Sequence, residues 1–349
     1  MKTKLILEDK TTINGKAFGA RKSTAGEVVF STAMTGYIET LTDPSYRGQI
    51  LILTYPLIGN CGVPLPALFQ SPQIQIAGLI VSCYSQHPSH YQNQKTLSCW
   101  LKENDIPGIS DVDTRALTQK IRRQGTILGK IQIGSQNLPF YDPDKDNLVA
   151  QVSIKKPKIY RRQGNKKTVC LVDCGCKKAI ITAFLKRQIN IITVPWNYDP
   201  FKENLPPFTG IVFSNGPGDP KMAQRTITIA KQTIKAKIPI LGIGLGHQVL
   251  ALAAGVKTYK LKFGHRSLNQ PVKDLNTNRC FITSQNHGFA VDKKTLPKTW
   301  QTWFTNLNDG TCEGIKSQDG LFWGIQFHPE GHPGPEDTKF IFDEFVKKL

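Results

Sequence analysis

The stretch that decides the fold is Ile238-Pro-Ile-Leu-Gly-Ile-Gly-Leu-Gly-His-Gln-Val-Leu-Ala-Leu-Ala-Ala-Gly255. Its apolar first part, Ile238 to Ile243, predicts a short buried strand, and His247 to Ala254 predicts a helix that ends at Gly255. A strand and a helix joined by a tight turn between glycines have the geometry of a nucleophile elbow. Such a turn holds its apex side chain beside helix N–H groups that can stabilise an oxyanion. The apex here is Gly244, so the sequence predicts the frame of a covalent catalyst without its nucleophile.

Length and composition favour a two-domain α/β protein. The chain has 349 residues, and a domain usually takes roughly 100–200 residues. A hydrophobic content of 39% with 29 Gly and 22 Pro is typical of a loop-rich soluble protein rather than a disordered one. The apolar run near the N-terminus is too short for a secretory signal, and no stretch approaches the ~18 apolar residues of a membrane span. We therefore expect a cytoplasmic protein with no membrane partner.

The order of predicted elements changes part-way along the chain. Residues 1–150 alternate short β-rich segments with turns and a few helices, which predicts a compact β-rich domain. Residues 151–167 are basic and contain Pro157 and Gly164, so we interpret them as an exposed linker. In residues 168–349 strands alternate with helices, which predicts a mainly parallel central sheet covered by helices on both faces. In such sheets the chemistry collects at the C-terminal ends of the strands.

The net charge of +19 and the cysteine spacing limit the partners and metals to be expected. The positive charge is spread along the chain without a recognisable nucleic-acid motif, so a solvated surface or an acidic partner subunit is favoured over nucleic acid. The eight cysteines show no paired CxxC spacing, which argues against a zinc site, and we expect no metal. Cys174 and Cys176 are the only close pair, and we expect them to be reduced thiols near the end of a buried strand.

A second constellation follows the elbow along the chain. An apex nucleophile needs a base within hydrogen-bond reach, and the base needs a carboxylate to orient it. His328-Pro-Glu330 follows an apolar strand, and residues two apart in extended chain point the same way. A His-x-Glu triplet alone is weak evidence. It becomes strong because it follows the Asn215-Gly-Pro-Gly-Asp219 loop and then the elbow along the chain.

At these motifs the chain resembles the small, glutamine-hydrolysing subunit of carbamoyl phosphate synthetase, a class I glutamine amidotransferase. The resemblance covers nearly the whole chain, and the motifs of its first half separate it from other class I amidotransferases. The motifs that support it are Gly26-Glu-Val-Val-Phe30, Met34-Thr-Gly-Tyr37, Leu41-Thr-Asp-Pro-Ser-Tyr46, Thr54-Tyr-Pro56, Ile58-Gly-Asn60, Asp113-Thr-Arg115, Ser214-Asn-Gly-Pro-Gly-Asp-Pro220, Gly246-His-Gln248, Lys262-Phe-Gly-His265, Gln285-Asn-His-Gly-Phe-Ala290 and His328-Pro-Glu330.

The resemblance implies a glutamine site and a division of labour with a partner. In the family a thiolate at the elbow attacks the side-chain amide of glutamine, the histidine equivalent to His328 protonates the leaving ammonia, and Glu330 orients that histidine. The ammonia passes to a large subunit, which uses ATP and Mg to make carbamoyl phosphate for arginine and pyrimidine synthesis, and the small subunit needs no cofactor. The residues that the resemblance places around glutamine are Ser45, Gly216, Gly218, Leu245, Gln248, Asn286, Gly288 and Phe289.

Elementary chemistry agrees with several of these residue types. The N–H groups of Leu245 and of the Gly216–Gly218 loop suit an oxyanion hole, because glycine lets the main chain approach closely. The amides of Gln248 and Asn286 suit the ammonium and carboxylate groups of an amino acid.

The departure from the family falls on the chemistry. Where the family has Gly-x-Cys-x-Gly, this chain has Gly242-Ile-Gly-Leu-Gly246, and a glycine cannot form the thioester. We therefore expect an intact fold with an impaired glutaminase. The alternatives are a working glutaminase subunit and a silent subunit that binds glutamine and supports an ammonia-dependent large subunit. Three further readings are less favoured. One is slow attack by water activated by His328, and another is replacement of the nucleophile by Cys174 or Cys176. The third is a dinucleotide site at the Gly-x-Gly turn, which would require Gly-x-Gly-x-x-Gly, whereas position 247 is His.

Overall fold

The computed structural model describes residues 3–135, 137–161 and 167–349. The chain forms two compact units, Met1–Asp146 and Asn147–Leu349. This division lies before the predicted domain boundary at residue 150, because the segment that we interpreted as a linker contributes a helix end and a strand to the second unit. The basic residues of that segment from Lys155 to Arg161 are exposed, Lys167 is partly buried, and Arg162 and Lys166 lie outside the described residues.

The first unit is a closed β-barrel with helices. Its strands follow the order β1-β2-β6-β5-β4-β3-β7 around the barrel. Helix α3 begins after Asp113, because the Asp113 carboxylate accepts a hydrogen bond from the N–H of Ala116 at 2.9 Å. The described elements are β1 (Thr3–Leu7), β2 (Thr12–Gly19), β3 (Thr24–Ser31), α1 (Tyr37–Leu41), β4 (Gln49–Ile58), β5 (Gly78–Tyr84), α2 (Leu97–Glu103), β6 (Pro107–Ser110), α3 (Thr114–Gln124) and β7 (Ile127–Ile133).

The second unit is built on one large sheet. Its described elements are α4 (Leu148–Val152), β8 (Lys158–Tyr160), β9 (Thr168–Asp173), α5 (Lys178–Lys186), β10 (Asn190–Pro195), β11 (Gly210–Phe213), α6 (Gln224–Lys235), β12 (Ile240–Ile243), α7 (Leu245–Ala253), β13 (Thr258–Asp274), β14 (Cys280–Val291), β15 (Trp300–Asn306), β16 (Cys312–Ser317), β17 (Phe322–Ile325) and α8 (Phe340–Lys348). Among the described residues, no helix is both long and apolar enough to cross a membrane.

The centre of this sheet is parallel and its flanks are antiparallel. The order is β14-β13-β15-β16-β17-β12-β11-β9-β10-β8. The five central strands pair in parallel, and these are β10, β9, β11, β12 and β17. At one side β8 pairs antiparallel with β10, and at the other side β16, β15, β13 and β14 continue the sheet with antiparallel pairing. The predicted α/β class with a parallel centre is confirmed, and the antiparallel flank is an addition to it.

Helices cover both faces of the parallel centre. Because successive residues of a strand point to opposite faces, each strand supplies two cores. Val169 and Leu171 pack with apolar residues of α5 and α8. Cys170 and Val172 pack with those of α6 and α7. The strands of the centre are therefore buried on both faces, and at the edge formed by their carboxyl ends lie the Gly216 loop after β11, Gly244 after β12 and His328 after β17.

Candidate active site

The turn between β12 and α7 is a sharp elbow with Gly244 at its apex. Gly244 has φ 58° and ψ −112°, a backbone conformation that residues other than glycine rarely adopt. A Cβ on Gly242 would lie 2.5 Å from the Gly246 carbonyl oxygen, and a Cβ on Gly246 would lie 2.0 Å from the Phe213 carbonyl oxygen. The two flanking glycines are therefore required by close packing. A Cβ on Gly244 would lie 3.3 Å from its nearest neighbour, Asn215 Cβ, so a side chain there requires a shift of only a few tenths of an ångström, far less than at the flanking glycines.

His328 and Glu330 form a buried hydrogen-bonded pair. Nδ1 of His328 lies 2.8 Å from Oε1 of Glu330, and both side chains are almost completely buried. Since a carboxylate only accepts, Nδ1 carries the proton and Nε2 is left to exchange protons with a reacting group. The backbone N–H of His328 donates to the Ser284 carbonyl oxygen at 2.9 Å, which fixes the pair to β14. The geometry is that of a base with its orienting carboxylate.

Lys177 completes this cluster, although it is not among the site residues predicted from the sequence. Its Nζ lies 2.9 Å from the same Oε1 of Glu330 and donates to the Gly331 carbonyl oxygen at 2.9 Å. Its backbone N–H donates to Oδ1 of Asn215 at 3.0 Å. The one signal in the sequence was its place just after the carboxyl end of β9, where residues of a parallel sheet approach the active edge.

The lysine and the histidine keep Glu330 ionised. Burial alone would raise the pKa of Glu330, but the charges of Lys177 and His328 and their hydrogen bonds outweigh it and lower this pKa to about 2. A permanently charged carboxylate stabilises the imidazolium that forms when His328 takes a proton. The acid–base part of a catalytic triad is thus fully assembled beside an apex that has no side chain.

The Gly216 loop packs against the start of α7. A Cβ on Gly216 would lie 2.1 Å from the Cys174 carbonyl oxygen and 3.0 Å from Leu245 Cδ2, so this glycine lets the loop approach closely. Gly218 has φ +81° and lies against Leu148. At the start of α7 the N–H groups of Gly246 and His247 donate to the Ser214 and Gly244 carbonyl oxygens, at 3.0 and 3.1 Å, so the Leu245 N–H remains the predicted oxyanion donor of this helix.

Gln248 joins α7 to the neighbouring strands. Its Nε2 donates to the Phe289 carbonyl oxygen at 2.8 Å and to Oε1 of Gln326 at 2.9 Å. Both amide hydrogens are therefore used inside the protein, and the carbonyl oxygen of Gln248 is the group left for a ligand. Asn286, Gly288 and Phe289 all lie on β14, and Asn286 stands opposite Arg266 of β13.

Comparison with known proteins decides the family. The model of the carbamoyl-phosphate synthase small chain, CPSase domain, matches residues 5–131, and that of glutamine amidotransferase class-I matches residues 170–348. The chain is 47% identical to the carbamoyl phosphate synthase small chain of Archaeoglobus fulgidus over 100% of this chain and 99% of that one. It belongs to the carbamoyl-phosphate synthase small-chain family.

Two further relatives differ in how much of their own length this chain matches. The carbamoyl phosphate synthase small chain of Methanocaldococcus jannaschii is 46% identical over 99% of both chains. The multifunctional protein ura1 of Schizosaccharomyces pombe is 43% identical over 98% of this chain but only 17% of that protein. The chain thus spans about a sixth of such multifunctional relatives, and the whole length of the separate small chains.

Ser45 belongs to the first unit of this small chain. It lies in the turn Pro44–Tyr46 and is buried, and its N–H is held by Oδ1 of Asp43 at 2.9 Å. Its predicted place beside glutamine stays a prediction.

The two cysteines near the elbow are poor replacements for the missing nucleophile. Cys174 is fully buried, and its thiol lies 4.0 Å from Oγ1 of Thr226, on the α6 side of the sheet. Burial raises the pKa of Cys174 and, assisted by the charge of Asp173, that of Cys176 well above the ordinary thiol range. Because the thiolate is the nucleophile, neither residue is suited to replace the family cysteine.

Proposed function

We propose that this chain is a glutamine-binding small subunit of carbamoyl phosphate synthase whose own glutamine hydrolysis is disabled. The observation that supports the proposal is the glycine at the apex of an otherwise complete site: Gly244 faces the oriented pair His328 and Glu330. The fold, the flanking glycines and the acid–base pair are those of a catalyst that works through a thioester. The atom that would form the thioester is missing.

The chemistry that remains is slow. With a thiol at the apex, sulfur would attack the amide carbon of glutamine, the carbon–nitrogen bond would break, and His328 would give its proton to the departing ammonia. Without the thiol, His328 can only take a proton from water, which must attack the amide directly. Loss of a nucleophile removes most of the rate in comparable triads and leaves a residual contribution from binding and the oxyanion donors.

The partner of this subunit, in our proposal, is a carbamoyl phosphate synthase large chain that holds ATP and Mg. The small chain itself uses no cofactor. The net charge of +19 suits a partner with an acidic docking surface. With its glutaminase silent, the complex would draw on free ammonia, and the preserved pocket would bind glutamine without cleaving it.

The deciding experiment is carbamoyl phosphate formation by the complex with its large chain, supplied either with glutamine or with ammonium. We expect formation from ammonium and almost none from glutamine. Glutamine use at a rate close to that of ammonium would show a working glutaminase and overturn the proposal. Calorimetric titration of the small chain with glutamine then tests the pocket, for which we expect binding without heat of hydrolysis.

A further inference from the structure

A second cluster of chemically active side chains lies on the antiparallel flank, away from the elbow pair. It consists of His265 on β13, His287 on β14 and Glu313 on β16, all of them buried. Nδ1 of His265 lies 3.2 Å from Nε2 of His287 and 3.3 Å from Oε1 of Glu313. The three side chains therefore present their nitrogen and oxygen atoms to one point between three strands.

The hydrogen bonds around the cluster fix both histidine tautomers. Nδ1 of His287 lies 2.8 Å from the Phe289 carbonyl oxygen, which can only accept, so this nitrogen carries the hydrogen. Nε2 of His265 lies 2.9 Å from Oδ2 of Asp309, and because this carboxylate can only accept, Nε2 also carries a hydrogen. In the neutral rings the remaining nitrogens, Nδ1 of His265 and Nε2 of His287, present lone pairs toward each other and toward the Glu313 carboxylate.

Three facing acceptors need a positive centre between them, which is either a proton on Nδ1 of His265 or a bound ion. Oε2 of Glu313 has no hydrogen-bond partner among the described residues although the side chain is completely buried, and an unpaired buried carboxylate oxygen is costly. Oε1 accepts from Thr311 and Asn306 at 3.2 and 3.3 Å. Gln285 adds a further oxygen, with its Oε1 3.1 Å from Nε2 of His287.

We propose that His265, His287 and Glu313 bind a divalent transition-metal ion of the zinc type. Two imidazoles and one carboxylate are a frequent zinc ligand set, and tetrahedral bonds of zinc to nitrogen place two ligand atoms about 3.3 Å apart. The contacts of His265 match this spacing, at 3.2 and 3.3 Å. The separation of His287 Nε2 and Glu313 Oε1 is longer, at 4.0 Å, and the free Oε2 gives the carboxylate a second way to reach the ion.

The surroundings have the features of a working metal site. Zinc-bound histidines usually donate their other N–H to a carboxylate or a backbone carbonyl, and here Asp309 and Phe289 accept these two bonds. The Asp309 side chain, which contacts His265, is 40% exposed, so the cluster lies close to the surface of the described chain. The ion would tie β13, β14 and β16 together immediately behind the part of β14 that bears Asn286. Cysteine spacing could not reveal this site, because no cysteine takes part.

The test uses the full chain, freed of metal with a chelator and titrated with Co²⁺ as a spectroscopic probe that Zn²⁺ should displace. We expect stoichiometric binding with the visible absorption of tetrahedral cobalt and without thiolate charge-transfer bands. Asp309→Asn, isosteric and half-exposed, should weaken binding by about 10- to 100-fold. Glu313→Gln should weaken it at least as much. The matched control is His90→Gln, which removes an exposed histidine of the first unit and should leave binding unchanged.

Three results would overturn the proposal. The first is absence of cobalt binding by the folded wild-type chain, which would mean that protons alone satisfy the cluster. The second is binding of equal strength in the wild type, Asp309→Asn and Glu313→Gln. The third is a spectrum with thiolate bands that disappears when the exposed cysteines are alkylated. Circular dichroism of each variant separates loss of the site from loss of the fold.

Discussion

A Cβ placed on Gly244 in ideal geometry lies 3.9 Å from Cε1 of His328. The missing side chain would therefore point at the base that should activate it. We predict that Gly244→Cys gains glutaminase activity by about 10³-fold or more, because the acid–base pair, the turn and the flanking glycines are already in place. Glutamate release from glutamine by the purified variant, alone and with the large chain, measures the gain.

Gly244→Ala is the matched control for this substitution. It adds the same Cβ in the same strained conformation, which costs about 1–3 kcal/mol of stability, but it adds no nucleophile. We expect it to be as stable as Gly244→Cys and to release no additional glutamate. A Gly244→Cys chain that is as stable as this control and still inactive would show that the site lacks something besides its sulfur.

Lys177 should be a strong contributor to stability through its charge. Its Nζ and the Glu330 carboxylate are both buried and 2.9 Å apart, so Lys177→Met leaves a buried carboxylate whose charge His328 offsets only when protonated. We expect a loss of about 3–5 kcal/mol in the free energy of unfolding. The double variant Lys177→Met/Glu330→Gln should lose much less than the sum of the single losses, because no buried charge remains and glutamine can still accept from His328.

Urea unfolding of the wild type, both single variants and the double variant gives the coupling energy between the two residues. A Lys177→Met loss below about 1 kcal/mol would mean that the pair contributes no more than a surface ion pair does.

The features that could be predicted from the sequence are the local ones. The elbow is encoded in a run of contiguous residues, and its strand and helix follow from apolar spacing and glycine positions. His328 and Glu330 are two residues apart, so their pairing also follows from local geometry. Lys177 meets Glu330 only because β9 and the chain after β17 end at the same edge of the sheet, which no local pattern encodes. No regular sequence pattern predicts the antiparallel flank, because the register shifts of β13 after Lys260 and Ser267 break its alternation of apolar and polar residues.

The low pKa of Glu330 predicts a specific dependence of stability on pH. Its folded-state pKa is about 2, whereas a glutamate in an unfolded chain titrates at about 4.3. Since the folded value is the lower one, its contribution is fully present above about pH 4.3 and is lost as the pH falls through about 2. We expect the stability difference between the wild type and Glu330→Gln not to decline between about pH 7 and 5, and then to shrink by about 3 kcal/mol as the pH falls further.

Urea unfolding of the two proteins at a series of pH values measures this difference. The comparison removes the contributions of the other carboxyl groups, because they titrate in both proteins. A difference that already declines between about pH 7 and 5 would mean that the Lys177 and His328 charges do not hold the carboxyl group ionised, and that its burial dominates.

The last prediction concerns the cysteines, and it asks whether one of their thiols could replace the nucleophile that Gly244 lacks. Burial raises the pKa of Cys170 and Cys312 to about 12, and it raises that of Cys174 further. Thiolates are the species that iodoacetamide alkylates, so we expect these three residues to stay unmodified in the folded chain at neutral pH. The exposed thiols should react, and these are Cys61, Cys83, Cys99 and Cys280.

Peptide mapping by mass spectrometry after a short exposure to the reagent distinguishes the two groups, and the same reaction in urea, where all eight cysteines should react, is the control. Cys176 is the informative residue, because it is only partly buried and lies one position before Lys177. Its raised pKa predicts slow modification in the folded chain. Rapid alkylation of Cys176 would reveal an accessible thiolate beside the His328 pair, and residual glutamine hydrolysis would then have a candidate nucleophile that the elbow itself does not supply.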